Sequence, residues 1–253
     1  ISFIIGYIIA KFYKYFKNQF SKNKQIYFIS LLIFGALIIP QIINTFNKEA
    51  QARSRWVFVI NPSSINQIEE SRNNYPGSPL VAKLKFNRVT LFTSTVIKNY
   101  SGFVNQEILF FNSTQNHQFN IPNTGVLYPI CLPLFYFGLF IFILNVLNKD
   151  ILSILIISWF IIGLIPAVIT VGDFPIIRAM SILPLPLIFI TQGFITIISL
   201  FNKNTTKKFF TYIFLLILII QSLFYLKKYF YDYSKNYSHT WQYGYKQVVA
   251  YIK

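Results

Sequence analysis

The chain has 253 residues, a net charge of +16, 54% hydrophobic residues and only 12% charged ones. Soluble domains carry about a quarter charged residues, so this composition argues against a soluble globular fold. The lysines stand beside apolar blocks and form no compact basic motif with nucleic-acid geometry, which points to a membrane surface and not to nucleic acid.

Taken in order, residues 1–46 hold a partial membrane helix, a lysine-rich loop and a full span over 26–46. The first apolar block is too short to span and lacks the layout of a signal peptide. It reads as the end of a helix that begins before Ile1, so the chain reads as an internal or C-terminal piece of a longer polypeptide. Pro40 falls near the end of the 26–46 span, where few intrahelical bonds are lost.

Residues 47–124 form the one long polar segment. Trp56 to Ile60 reads as a strand or a helix. Asn61-Pro62-Ser63-Ser64 reads as a turn and N-cap, followed by a short helix with Glu69 and Glu70 near its start. Tyr75-Pro76-Gly77-Ser78-Pro79 is a breaker cluster. Residues 80–108 are amphipathic and read as a helix lying along the bilayer surface, with Leu109-Phe110-Phe111 seated in the interface.

Residues 125–226 read as four membrane helices: 126–147, 151–170, 176–200 and 209–226. The turn at 148–150 is so short that the first two are antiparallel neighbours. Residues 227–253 read as a polar, tyrosine-rich tail that opens a truncated extracytoplasmic region. The fold class expected is therefore an all-α polytopic membrane protein. It has about five full transmembrane helices and one partial helix, with a loop region of mixed short helices.

Lysine counts give the orientation. The loop from Lys11 to Lys24 carries five lysines, 148–150 one and 202–208 three, while 171–175 has none. The basic loops are placed in the cytoplasm, and the long loop and C-terminal tail outside.

Arg178 is the most informative candidate. A guanidinium at the end of a span is costly unless it faces protein, water or an anion, and its planar fork suits phosphate. The alternatives are snorkelling to headgroups and pairing with Asp173. Asp173 itself could be a ligand, a base or a turn residue. Glu107 stands where loop meets membrane. Lys83 and Lys85, with Arg88, form a basic cluster that suits anionic headgroups, a lipid phosphate or plain solvation. His117 and His239 lack metal partners at helical spacing and read as surface residues. Cys131 is a lone cysteine in an apolar block and reads as a packed side chain. No metal-ligand cluster and no Ser/His/Asp arrangement is recognisable.

Several strings follow one another in a telling order. They are Arg53-Ser54-Arg55-Trp56-Val57-Phe58, Asn61-Pro62, Phe86-Asn87-Arg88, Lys98-Asn99-Tyr100, Leu109-Phe110-Phe111-Asn112 and Gly125-Val126-Leu127-Tyr128. Arg178, Leu183-Pro184 and Trp241-Gln242-Tyr243-Gly244 come later. This order resembles the C-terminal half of bacterial glycosyltransferases of the family 39 type, relatives of protein O-mannosyltransferases and of aminoarabinose transferase. The resemblance implies a GT-C fold in a bacterial inner membrane and a polyprenyl-phosphate sugar donor. It implies a catalytic Asp in an external loop upstream of Ile1, so no catalytic residue is assigned within this chain. It also implies Arg178 as a donor-phosphate contact, although the family's His before that arginine is replaced here by Phe174-Pro175-Ile176-Ile177. A divalent metal in the full-length enzyme is left open. The competing readings are a flippase of lipid-linked glycans and a non-catalytic membrane scaffold.

Overall fold

A computed structural model describes residues 24–112, 117, 118, 120–172, 176–241, 244, 248, 249 and 251. The expected partial helix before residue 24, Asp173, and most of the stretch after Trp241 lie outside the described residues. Those described are helical, with no β-strand among them. The chain divides into two compact units, Ile1–Ser63 and Ser64–Lys253.

In the first unit, α1 spans Lys24–Thr45 and α2 spans Lys48–Val57. Side chains along α1 such as Leu31 and Leu37 are exposed, as expected for a surface wetted by lipid. Trp56 and Val57 belong to the last turn of α2, so the helical alternative holds for them. The next helix, α3, covers Pro62–Asn73. It begins three residues earlier than the sequence suggested, with Pro62 in its first turn. Glu69 and Glu70 therefore stand in its second half, away from the N-terminal dipole, where they had been expected.

The expected single helix over 80–108 is in fact two. Helix α4 spans Pro79–Lys85 and α5 spans Arg88–Gly102. Asn87 divides them. Its side-chain oxygen accepts from the amides of Val89 and Thr90 at 2.9 Å each, and the Thr90 hydroxyl accepts from the Asn87 amide at 3.1 Å. This reciprocal cap starts a new helix.

Leu109-Phe110-Phe111 corrects a second expectation. It lies in a π-turn, Glu107–Phe111, whose Leu109 and Phe110 are buried. Phe110 is 1% exposed and packs edge-on against Phe135 with ring centroids 5.8 Å apart. The middle of the turn is docked in the protein core; of the three residues only Phe111 faces outward.

The spanning helices follow. A 3-10 turn at Pro129–Cys131 leads into α6, Leu132–Leu147. Helix α7, Ile151–Gly163, is capped by Asp150, which accepts from the Ser153 amide and hydroxyl at 2.9 and 2.6 Å. It runs on into α8, Ile165–Val168. The expected span over 176–200 is bent by 57° between a 3-10 helix, Ile176–Ile182, and α9, Pro184–Ser199. Pro184 and Pro186 have no amide hydrogen for the preceding carbonyls, so the break falls where they enter. The last helix, α10, Asn204–Lys227, continues through a π-turn at Lys228–Tyr233 to Asn236. The first part of the expected polar tail is thus helix.

Phe189 of α9 is fully buried, and the rings of Phe135, Phe142 and Phe160 meet it edge-on at 5.8, 5.5 and 5.7 Å. This fixes α6, α7 and α9 around one aromatic centre. Helices α6 and α9 touch backbone to backbone through Gly138 and Gly193.

Candidate functional site

Two cavities lie side by side in the second unit. The larger, about 740 Å³, is bounded by residues 118–131, the 3-10 helix at Ile176–Ile182, the first half of α9, and the end of α10. The smaller, about 470 Å³, lies between the Phe110–Pro129 region and Gln221–Asp232. Tyr128 and Tyr225 line both, with ring centroids 6.2 Å apart and planes at 80°. Thr124, Gly125 and Leu127 line both as well.

The wall between loop and bundle is set by a close backbone approach. The Leu127 amide donates to the Leu109 carbonyl at 2.8 Å. A Cβ on Gly125 would sit 2.3 Å from the Phe110 carbonyl carbon and 2.5 Å from the Leu109 oxygen. Only glycine allows that packing.

The opposite wall is a row of tyrosines. Tyr225, Tyr229, Tyr233 and Tyr237 follow at intervals of four, with successive centroids 6.4, 6.1 and 5.9 Å apart and planes within 14°. Four residues overshoot an α-turn of 3.6 and undershoot the wider π-turn. The mixture of the two along the end of α10 therefore keeps the rings in register. Tyr225, Tyr229 and Tyr233 line the larger cavity, where Gln118, Asn120 and Thr124 supply polar groups among apolar side chains. Lys227, Lys228 and Asp232 stand on the smaller one, and Lys228 donates to the Asn123 carbonyl at 2.9 Å.

His117 is built into this wall and is not the surface residue expected. Its carbonyl accepts from the Tyr233 hydroxyl, and its ring meets Tyr237 edge-on at 4.8 Å. Its Nδ1 is buried without a hydrogen-bond partner among the described residues.

The residues singled out in the sequence lie elsewhere. Arg178 does not line either cavity. Its Nη1 donates to the Thr170 hydroxyl at 2.6 Å and to the Val171 carbonyl at 3.4 Å. Asn99 of α5 donates from the other side to the carbonyls of Val168 and Thr170 at 2.8 and 3.3 Å. Asn99 thus satisfies the Val168 carbonyl at the end of α8, and Arg178 and Asn99 together hold the segment Thr170–Val171 that follows it. A cation at a helix C-terminus also meets the negative end of its dipole.

Glu107 is exposed at the start of the π-turn, its amide held by the Asn105 side chain at 2.8 Å. Lys83 is exposed on α4. Lys85 places its ammonium 5.4 Å from the Tyr75 ring centroid and 5.5 Å from that of Phe86. The structure does not bring Arg178, Glu107, Lys83 and Lys85 together at one point: no hydrogen bond or ion pair joins them among the described residues.

What sequence reasoning missed was the tyrosine row. Its signal was the four-residue spacing from Tyr225 to Tyr237, obscured by the expectation that helix ends near residue 226. Among the described residues there is no group of three or more His, Cys, Asp or Glu able to hold a metal ion. Among the described residues, the lining of the larger cavity carries no carboxylate or imidazole; it offers tyrosine rings, side-chain amides and a threonine hydroxyl among apolar groups.

Comparison with family models, with curated proteins and with solved structures gives no match. The fold defines the class: the described residues are all-helical and contain four helices long and apolar enough to cross a membrane, or five if the bent pair counts as one span. That architecture fits a multi-pass membrane protein.

Proposed function

We propose that the chain is the substrate-holding part of a GT-C-type membrane glycosyltransferase. It would move a sugar from a polyprenyl-phosphate donor to an acceptor on the extracytoplasmic side of a bacterial inner membrane. The observation that carries this reading is the larger cavity, with its tyrosine row on one side and amide and hydroxyl groups on the other. Aromatic faces stack on the C–H faces of sugar rings, and a few convergent polar groups fix their orientation. An apolar lining accommodates the start of the carrier chain.

Two strings of the family resemblance, Leu109-Phe110 and Gly125 to Tyr128, are in backbone contact at this wall. Their convergence supports the reading. The base, on this view, is the Asp of the upstream external loop. It takes the proton of an acceptor hydroxyl, the hydroxyl oxygen bonds to the anomeric carbon, and the lipid phosphate leaves with the bonding electrons. Cations stabilise that departing charge. Arg178, carried over from the resemblance, stands outside both cavities, and Lys227 lines the smaller one, so on this view the departing phosphate lies beyond the lining of the larger cavity.

The test uses the full-length protein in proteoliposomes with a radiolabelled polyprenyl-phosphate sugar. Tyr229→Ala is expected to lower transfer on the order of tenfold through lost positioning, while Tyr229→Phe retains most of it. Tyr229 is 45% exposed, so its thermal midpoint should hold. Unchanged transfer by Tyr229→Ala would remove the cavity from the reaction. Absence of transfer by the unaltered protein, across polyprenyl-phosphate sugars, would sink the proposal.

A further inference from the structure

Among the described residues, the helices α4 and α5 present an exposed surface whose make-up names its occupant. In α4, Ala82 is buried at 4% exposure, while Leu80 and Leu84, one turn apart, are each 75% exposed. Val81 at 45% widens that face, and beyond the Asn87 cap Val89 is 73% and Ile97 63% exposed. Five large aliphatic side chains in water would be a costly arrangement for so short a segment. The same stretch, 79–102, carries Lys83, Lys85, Arg88 and Lys98 and no acidic residue.

The far end of α5 is tied into a span. The Tyr100 hydroxyl donates to the Ile161 carbonyl at 2.9 Å, and Asn99 holds Val168 and Thr170. Ile161 lies seven residues before the Val168 end of the Ile151–Val168 span, or about 10 Å from it at the helical rise. The last turn of α5 is thereby set within the depth of one leaflet, and the helix leaves from there.

We propose that α4 and α5 form an interfacial foot lying in the leaflet beside the end of α8. Leu80, Leu84, Val89 and Ile97 enter the acyl boundary, and Lys83, Lys85 and Arg88 meet anionic lipid headgroups. Aliphatic side chains on one side and lysine or arginine beside them are the pattern of helices that lie in this plane. Each cation near an anionic surface strengthens the association about fivefold. The occupant is the bilayer itself, selected by charge complementarity. A neutral or basic protein surface would leave the uniform positive charge of this stretch unmatched, and a protein of any charge would shield spin labels placed on this face.

The test places spin labels at Leu84→Cys and Val89→Cys in the full-length protein, one at a time, in nanodiscs. The buried native Cys131 serves as the unlabelled blank. Collision rates with oxygen and with a water-soluble nickel chelate report depth. Leu216→Cys on α10 gives the lipid reference, and Glu69→Cys on α3 gives the water reference. Both foot labels are expected to match Leu216→Cys, excluding the chelate about tenfold relative to Glu69→Cys. Neutralising Lys83, Lys85 and Arg88 to Gln should raise chelate access in phosphatidylglycerol-containing nanodiscs and not in pure phosphatidylcholine. Chelate access equal to that of Glu69→Cys overturns the foot. Labels shielded from both reagents would show a protein covering this face, and that also overturns it. An equal effect of the triple substitution in both lipids would refute the anionic recognition.

Discussion

Replacing Gly138 by alanine tests the packing on which the bundle rests. The new methyl would stand 1.8 Å from the Phe189 carbonyl oxygen, 2.7 Å from its carbon and 3.0 Å from the Gly193 amide nitrogen. Ordinary contact begins near 3.4 Å, so the shortfall is about 1.6 Å. The obstructing atoms are backbone, and no side-chain rotation relieves them. The two helices must separate, and the rings of Phe135 and Phe142 then lose their seats on Phe189. Overpacking costs about 1–3 kcal/mol, and two disturbed aromatic pairs add about 0.5–1.5 kcal/mol each. A total on the order of 3 kcal/mol lowers the melting midpoint of a chain this size by about 6–12 °C. The assay is thermal unfolding of the full-length protein in a fixed detergent. Gly193→Ala, whose methyl would lie 2.1 Å from the Leu134 oxygen, should match it. The double variant should cost less than the sum, because one separation serves both. Gly35→Ala is the control, since nothing lies within 4 Å of its methyl. A Gly138→Ala midpoint as close to the unaltered protein as that of Gly35→Ala would refute the argument.

Asn87→Ala removes the cap of α5 and should cost about 0.5–2 kcal/mol; amide exchange in its first turn should quicken, and unchanged exchange would show that the cap is dispensable. Tyr100→Phe deletes the hydroxyl bond to Ile161 and should cost about 1 kcal/mol below pH 10. Burial raises the Tyr100 pKa above its ordinary 10.0. The unfolded chain therefore ionises first, so this contribution is present below pH 10.0 and lost as pH rises through the folded value. Alkaline unfolding profiles of the two proteins should converge there, and profiles that stay parallel would refute the assignment.

The spans were legible because a hydrocarbon solvent demands apolar side chains all round a helix. The expected 26–46 became Lys24–Thr45, and 126–147 became a span over Pro129–Leu147. The short turn at 148–150 also held, with Asp150 as cap. Hydropathy does not distinguish a phenylalanine facing lipid from one facing protein, so Phe110 was placed in the interface when it belongs to the core. The Asn87 cap carried its signal, a Thr three residues on, inside a stretch whose apolar rhythm continued across the break. The surroundings of Arg178 were hidden for another reason. Thr170 lies eight residues back across a turn, and Asn99 comes from a distant helix.

The helix Asn204–Asn236 is 33 residues long, or about 50 Å, against a hydrocarbon slab of about 30 Å. Its apolar stretch, 209–226, is about 27 Å long, a length the slab takes without forced tilt, so the surplus of the rod projects from the hydrocarbon. Tyr225, Tyr229 and Tyr233 are fixed to this rod, while the facing residues 124–128 are bonded to the Phe110 turn in the core. For a span seated on that stretch, Tyr229 and Tyr233 stand beyond the hydrocarbon, and the wall they give the larger cavity lies at the level of headgroups.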